Sequence, residues 1–182
     1  TQADIGSAWG FRRLGIEGVG PVFMPAILAD ISGYRGRALD NSEVITVDDI
    51  RGALESQGMD EADMQSGSAF FWRTGNDHLW FSDPENYVSG AAGITPETAQ
   101  WIADKGIVVV GADAVAMEPV PPIDDSMSEV HATFLCRNGV YIIVNVNLSG
   151  LAERKAWRFA LCCTPIPFVG AQGSPARPFA VL

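Results

Sequence analysis

The chain contains two histidines, His78 and His131, and this small number limits the acid–base and metal chemistry available to it. His131 follows an acidic linker in "SEVHATFL", and we predict that it begins an extended segment. There it would serve as a metal ligand or a general base, with a purely structural histidine as the alternative. His78, in "GNDHLW", falls in a predicted surface turn, which favours a structural role.

One carboxylate is placed by the pattern of the strand that precedes it. The apolar run from Ile107 to Val110 predicts a buried strand, and it leads through Gly111 to Asp113. This arrangement predicts a carboxylate at the end of a buried strand. The nucleophile elbow, the phosphate-binding loop and the dinucleotide fingerprint are all missing from the sequence, and the glycine-rich pieces "GVGPVF" and "GAQGSP" are interpreted as turns.

Composition and charge narrow the class of protein. The 182 residues are enough for one well-buried domain, and 47% of them are hydrophobic. No apolar run has the roughly 18 to 20 residues that a membrane helix needs. The net charge of −10 disfavours nucleic acid and anionic lipid surfaces as partners. The three cysteines lack C-x-x-C spacing, so we expect neither a zinc cluster nor a disulfide framework, and we expect a cytoplasmic location.

Capping signals predict two helices. Thr46 is placed as the N-cap of a helix that Gly58 ends, and Thr95 as the N-cap of a second helix with Pro96 in its first turn and Gly106 just past its end. Strands are predicted from Val22 to Ile31 and in "GVYIIVNVNL", which alternates with period two. Because strands and helices mix without a regular βαβ rhythm, we predict an α/β fold. Its sheet is expected to be mixed and largely antiparallel, or barrel-like, with helices on its flanks.

Several segments together resemble a known family, and they cover nearly the whole chain. They are "GPVFMPAILADI", "ITVDDIRGALESQGM", "FFWRTGNDHLW", "GITPETAQWIADKGIVVVGADAVAMEP", "VHATFLCRNGVYIIVNVNLSGLAE" and "PIPFVGAQGSPARPFAVL". In content and order they resemble the Putative cyclase family, which includes kynurenine formamidases and isatin hydrolases. The resemblance implies one cyclase-like domain of the swivelling β/α type over residues 1–182, without the family's N-terminal strand region.

The resemblance also implies a metal-dependent hydrolase that opens a C–N amide bond in an aryl formamide or cyclic amide. The family's metal motif is H-x-G-T-H-x-D-x-x-x-H, joined by a later histidine and a glutamate. A bound zinc or manganese ion lowers the pKa of a water molecule towards neutrality, so that hydroxide attacks the carbonyl. The implied partner is a small aromatic amide, and the implied assembly is a homodimer or a higher homo-oligomer.

Laid onto this chain, the motif places the metal on three residues. Asp4 matches the aspartate, Gln2 stands at a histidine position, and His131 matches the later histidine. Ala8 stands where the family has a proton-transfer histidine, and Val144 where it has the glutamate. A carboxamide oxygen is an acceptable ligand for manganese or magnesium. The resemblance therefore implies a divalent metal, manganese or zinc, bound weakly or lost.

Two functions remain open from the sequence. In the first, Asp4, Gln2 and His131 surround a metal, and His131 is also the catalytic residue. Aromatic residues then line a pocket for a flat substrate, although each has an alternative as a core residue: Trp9, Phe11, Trp72 and Trp80. In the second, the fold is kept but the ligands are lost, and the protein is a binding or structural subunit.

Overall fold

The computed structural model describes residues 6–123 and 128–182. Ten strands and seven α-helices are named below in chain order, and they are counted within those ranges. The strands are β1 (Gly6–Ser7), β2 (Gly10–Phe11), β3 (Val22–Asp30), β4 (Val44–Ile45), β5 (Ala69–Arg73), β6 (Gly93–Ile94), β7 (Val109–Ala112), β8 (Tyr141–Ile143), β9 (Arg158–Cys163) and β10 (Phe179–Val181). The helices are α1 (Ile31–Arg35), α2 (Val47–Ser56), α3 (Leu79–Ser82), α4 (Pro84–Ser89), α5 (Pro96–Asp104), α6 (Glu129–His131) and α7 (Ser149–Glu153).

The chain divides into two compact units. The larger one is Ala26–Arg158, and the smaller one combines the described part of residues 1–25 with Phe159–Leu182. Both units belong to one chain, and the single domain over residues 1–182 stays a prediction. Within the described ranges, no helix has both the length and the apolar character that crossing a bilayer requires.

Parallel pairing dominates the larger unit. Strand β5 pairs with β3 on one side and with β7 on the other, and β7 pairs with β8; all three ladders are parallel. The short strands β4 and β6 are also parallel. Parallel neighbours require crossover connections, and α1 and α2 lie between β3 and β5 while α3 to α5 lie between β5 and β7. The expectation of largely antiparallel pairing does not hold for this unit, because its helices act as crossovers.

The smaller unit is antiparallel. Strand β1 pairs with β2, and β9 pairs with β10, with Phe179 opposite Cys162. The Phe11 N–H also donates to the Gly170 carbonyl over 2.8 Å. Parallel and antiparallel ladders therefore occur in the same chain, and the predicted α/β fold with mixed β-structure and flanking helices is confirmed.

The core of the larger unit is built around β5. Its residues Phe70, Phe71 and Trp72 are all buried, so both faces of the strand are covered, as parallel strands require. Gly111 on β7 lies opposite Phe71, and a Cβ atom there would come within 2.2 Å of the Phe71 ring. Glycine at this position lets the ring pack against the neighbouring strand.

Both predicted helix starts are confirmed. The Thr46 hydroxyl accepts from the Asp49 N–H over 3.2 Å, and the Asp49 carboxylate accepts from the Thr46 N–H over 2.9 Å, which is a capping box at the start of α2. The Thr95 hydroxyl caps α5 by accepting from the Thr98 N–H over 3.3 Å, with Pro96 in the first turn. These caps begin the two helices that pack beside the core strands.

Candidate functional site

His131 lies on a helix, so the prediction that it begins an extended segment is wrong. It ends α6, and the helix continues with π-type turns from Ala132 to Asn138. Side-chain hydrogen bonds within residues 129–137 stabilise this helical segment. Arg137 donates to the Thr133 hydroxyl over 2.9 Å and to the Glu129 carboxylate over 2.7 Å. The Arg137–Thr133 contact spans four residues and the Arg137–Glu129 contact spans eight, about one and two helical turns, a spacing that the short apolar run around His131 did not reveal.

Glu118 holds the imidazole of His131 in one orientation. The two carboxylate oxygens of Glu118 lie 2.8 and 2.7 Å from the Nδ1 atom of His131, and the main-chain N–H of His131 donates to the same carboxylate over 2.9 Å. Burial alone would raise the pKa of Glu118, but the hydrogen bonds from His131 outweigh it and hold that pKa below its usual value. An ionised carboxylate can only accept, so Nδ1 carries a proton, and in the neutral form of the ring the lone pair is therefore on Nε2.

This geometry is the one in which histidines bind metals. A ligating histidine commonly donates its second ring N–H to a carboxylate, which fixes the ring and raises its basicity. His131 is therefore suited to be a ligand through Nε2. Its side chain is partly exposed, at 37%, so the ring is accessible.

The other predicted metal ligands, Gln2 and Asp4, lie outside the described residues. Within residues 6–123 and 128–182, no three histidine, cysteine, aspartate or glutamate side chains come together as a metal site requires. Ala8 is exposed, and Val144 packs against the core of the larger unit. The part of the chain that is described thus supplies one fitting ligand, His131.

Asp113 is buried at the end of β7, where the sequence placed a carboxylate. Its side chain is fully buried, and its two oxygens accept from the N–H groups of Thr74 over 2.7 Å and of Gly75 over 2.9 Å. Burial raises its pKa to about 6, and the charge of Asp77 adds to this rise against the opposing hydrogen bonds. Gly75 has φ of +86°, a conformation that favours glycine, so the turn can present both N–H groups to the carboxylate.

Tyr87 connects this buried turn to a surface cavity. Its hydroxyl lies 3.2 Å from the main-chain oxygen of Asp113 and 3.0 Å from Oδ1 of Asn145. Burial, together with the charges of Asp113 and Asp77, raises the pKa of Tyr87 to about 12. The phenol therefore stays protonated and acts as a hydrogen-bond donor.

The cavity has a volume of about 150 Å³ and lies wholly in the larger unit. The Asp77 carboxylate at its wall is held on both oxygens by Arg73, at 3.1 and 3.2 Å. Arg73 also donates to the Ser32 hydroxyl over 3.0 Å, which links the wall to the first turn of α1. The residues that give the cavity its character are three aromatic and three polar ones: Trp80, Phe81, Tyr87, Asp77, Asn145 and Asn147.

The four predicted pocket aromatics have different environments. Trp80 is half-exposed and lines the cavity, whereas Trp72 is fully buried in the core. In the smaller unit, Trp9 is 94% exposed and Phe11 is half-buried on β2. Among the described residues, the cavity thus takes in Trp80 from the predicted set, and the role of all four in substrate binding stays a prediction.

Sequence reasoning missed most of the cavity. Asn145 and Asn147 belong to the segment whose period-two alternation predicts a strand. In the structure the strand ends at Ile143, and Asn145 has φ of +60°, a conformation that asparagine tolerates. The pair Asn147 and Ser149 could have indicated a turn at this place, because an asparagine side chain accepts a hydrogen bond from the residue two positions later in such turns.

Comparison with known proteins decides the family. The model of the family described as Putative cyclase matches residues 9–119, more than half of the chain. The chain belongs to this family. The resemblance stated from the sequence segments is therefore confirmed.

Solved structures agree with this membership. One described as a novel cyclase is 32% identical, with a TM-score of 0.86 over 100% of this chain and 60% of its own. One described as a predicted metal-dependent hydrolase from Bacillus stearothermophilus is 25% identical, with a TM-score of 0.62 over 96% of this chain and 69% of its own. Isatin hydrolase A from Ralstonia solanacearum, at 20% identity and a TM-score of 0.72 over 91% of this chain and 63% of its own, shares the fold.

These similar structures are described as cyclases and hydrolases, and the family is accordingly one of enzymes. No curated protein matches the chain. The chain spans about 60% of the length of the similar cyclase, so its own activity, substrates and partners are matters of proposal.

Proposed function

We propose that the protein is a metal-dependent hydrolase that breaks the C–N bond of an aryl formamide or cyclic amide. The observation that carries the proposal is the His131–Glu118 pair, in a chain whose family includes metal-dependent hydrolases. In such a reaction the oxygen of water forms the new bond to the carbonyl carbon, and the nitrogen leaves with a proton.

Two alternative tasks of His131 follow from this proposal. Through Nε2 it would hold a divalent metal together with Asp4 and Gln2, and that metal, manganese or zinc, would supply a water molecule of lowered pKa. Glu118 keeps the proton on Nδ1, so that Nε2 remains available. The catalytic role predicted for the ring, proton exchange with water at the reacting carbonyl, also needs Nε2, so it is an alternative to metal binding by this nitrogen.

A second function is favoured by Val144. This residue packs against the core at the position where the family resemblance places a glutamate. An apolar side chain there removes one acidic group from the expected site. A family member that kept the fold and binds without catalysis is therefore the alternative proposal.

The proposed partners follow from the same reasoning. A small aromatic amide is the proposed substrate, and a second copy of the chain is the proposed protein partner. Nucleic acid and membranes are not proposed, because a net charge of −10 repels anionic surfaces. The proposed location is the cytoplasm.

Metal content and turnover test the proposed function together. The purified chain is analysed for zinc and manganese, and hydrolysis of N-formylkynurenine and of isatin is followed with either ion added. We expect about one equivalent of metal, and His131→Gln or Asp4→Asn should lower turnover by at least about 100-fold. His78→Gln is the matched control, since His78 is the other histidine and its Nδ1 atom lies 2.8 Å from the Gly75 carbonyl oxygen.

Failure of the proposal has a clear form. If no metal binds and neither amide is hydrolysed at millimolar metal, the enzyme proposal is wrong and the binding subunit is supported. If His78→Gln lowers turnover as much as His131→Gln, the assignment of the site to His131 is wrong.

A further inference from the structure

The cavity beside Tyr87 has a chemistry of its own, separate from the His131–Glu118 pair. We infer that it recognises the carbonyl group of a neutral, single-ring aromatic molecule. The inference rests on the proposed function for the class of ligand, an aryl amide, and it concerns a cavity whose lining residues include neither His131 nor Glu118. It is argued from the shape, the free hydrogen-bond donors and the charge of the cavity.

The walls suit one flat ring. Trp80 and Tyr87 meet edge to face, with ring centroids 5.2 Å apart and planes at 85°, and Phe81 is 82% exposed beside them. Aromatic surfaces arranged this way favour stacking and edge contacts with another ring. At about 150 Å³ the cavity is smaller than the roughly 300 to 1,000 Å³ typical of drug-sized ligands, so it is suited to a single ring with a small substituent.

Hydrogen-bond donors remain available at the mouth of the cavity. The Oδ1 atom of Asn147 accepts from the Ser149 N–H over 3.1 Å and from the Ser149 hydroxyl over 2.6 Å. A main-chain N–H can only donate, so this bond fixes which end of the Asn147 carboxamide is oxygen. Its Nδ2 group has no acceptor among the described residues, and it is free to donate to a ligand.

Asn145 lies beside the same network. Its Oδ1 atom is 3.0 Å from the Tyr87 hydroxyl, whose single proton also faces the main-chain oxygen of Asp113, and the residue is exposed. The free donor of the Asn147 carboxamide is complementary to an oxygen acceptor such as a carbonyl. It offers nothing to a ligand that can only donate.

Charge excludes an anionic acceptor. The Asp77 carboxylate lines the cavity, and Asp113 lies behind Tyr87. The fields of both carboxylates reach the Tyr87 hydroxyl, where they raise the phenol pKa. A bound carboxylate would meet the same repulsion. Arg73 already holds both oxygens of Asp77, so a cation finds no unpaired carboxylate at that wall, and the repulsion of an anion comes mainly from Asp113.

A neutral carbonyl therefore satisfies shape, donors and charge together. An aryl amide meets this description before hydrolysis. A carboxylate released by opening a cyclic amide does not, because it is anionic. The cavity would thus hold a substrate and favour release of such a product.

Three near-isosteric probes test the inference: benzamide, which is neutral, benzoate, which is anionic, and benzamidine, which is cationic. Binding to the full chain is measured by calorimetry or ligand-observed NMR, with a chelator present so that metal chemistry plays no part. We expect benzamide to bind at least about 10-fold more tightly than either charged probe. Tighter binding of benzoate or benzamidine, or no binding of benzamide, would overturn the inference.

Asn147→Asp is the decisive variant. Aspartate keeps the oxygen that accepts from Ser149 but replaces the free donor by a second, charged oxygen, so the fold is preserved while benzamide binding should weaken at least about 10-fold. Gln65→Glu is the control, because it adds the same charge at an exposed residue outside the cavity. Equal affinities in both variants would contradict the inference.

A second variant tests the cavity independently, in case Asn147→Asp does not fold. Trp80→Leu removes an aromatic wall without a change of charge, and it should weaken all three probes alike. Unchanged benzamide binding in this variant would overturn the assignment of the cavity. Hydrolysis of the amide substrates is assayed separately. Benzamide binding without turnover would support the inference and contradict the proposed hydrolase. Turnover without benzamide binding would support the proposed hydrolase and contradict the inference.

Discussion

At the scale of single residues, Asp113 makes stability depend on pH. Its pKa is raised to about 6 in the folded protein, above the value of about 4 for an unfolded chain. Its contribution to stability is therefore fully present below pH 4 and is lost as the pH rises through 6. A shift of about two units corresponds to about 3 kcal/mol.

The prediction is tested with Asp113→Asn. The free energy of unfolding of the wild type minus that of the variant should fall by about 2 kcal/mol between pH 4 and pH 7, as measured by urea unfolding. Asp104→Asn, at an exposed aspartate, is the control and should show no such trend. A difference that is constant across this pH range would contradict the raised pKa of Asp113.

Glu118 sets the tautomer of His131. The carboxylate accepts from Nδ1, so the neutral ring should carry its proton there, and the ¹⁵N chemical shifts of the ring should show this in the wild type. Glu118→Gln removes the charge but keeps the size of the side chain, and we expect a mixture of tautomers. His78, whose Nδ1 lies 2.8 Å from the Gly75 carbonyl, should keep its shifts in the same spectra. An unchanged His131 spectrum would mean that Glu118 does not position the ring.

At the scale of elements, the capping box of α2 is a measurable source of stability. Thr46→Ala removes the hydroxyl that accepts from the Asp49 N–H, and it should lower the free energy of unfolding by about 1 kcal/mol. Thr46→Ser keeps the hydroxyl and should be close to neutral. Chemical denaturation of the two variants makes the comparison, and equal losses would show that the hydroxyl is not the cause.

Local signals explain which elements the sequence predicted well. Thr46 and Thr95 act through hydrogen bonds within three residues, so their sequence neighbours are sufficient to predict them. Asp113 was also placed correctly, because the apolar run before it reads as a buried strand. Each of these features depends on the chain within a few residues.

Long-range features could not be predicted in this way. The parallel pairing of β3, β5 and β7 depends on crossovers between distant segments, and the helical state of His131 depends on Arg137 and on Glu118, thirteen residues away. The cavity joins Asp77, Tyr87 and Asn147, which are far apart in the chain. The family resemblance supplied the class of chemistry, but the partner of His131 and the donors of the cavity came from the structure.

At the scale of the whole molecule, charge and apolar exposure are distributed unevenly. Residues 26–158 contain 20 acidic and 9 basic residues, whereas the rest of the chain contains 2 acidic and 3 basic ones. Among the described residues, nine of the seventeen large hydrophobic residues that are exposed lie in the smaller unit, including Trp9 and Val169. Apolar surface on a slightly basic unit is suited to contact with the acidic unit of a second copy.

This distribution leads to a prediction about assembly. We expect a dimer or a higher homo-oligomer in light scattering coupled to size exclusion, with a mass that rises with protein concentration. Replacing the two most exposed side chains of the smaller unit, Trp9→Ser together with Val169→Ser, should shift the midpoint of association at least about 10-fold towards monomer, because less apolar surface would be buried. Val88→Ser, at a 65% exposed residue of the larger unit, is the control and should leave the mass unchanged. A wild type that stays monomeric at all concentrations, or a control that dissociates equally, would place self-association elsewhere or rule it out.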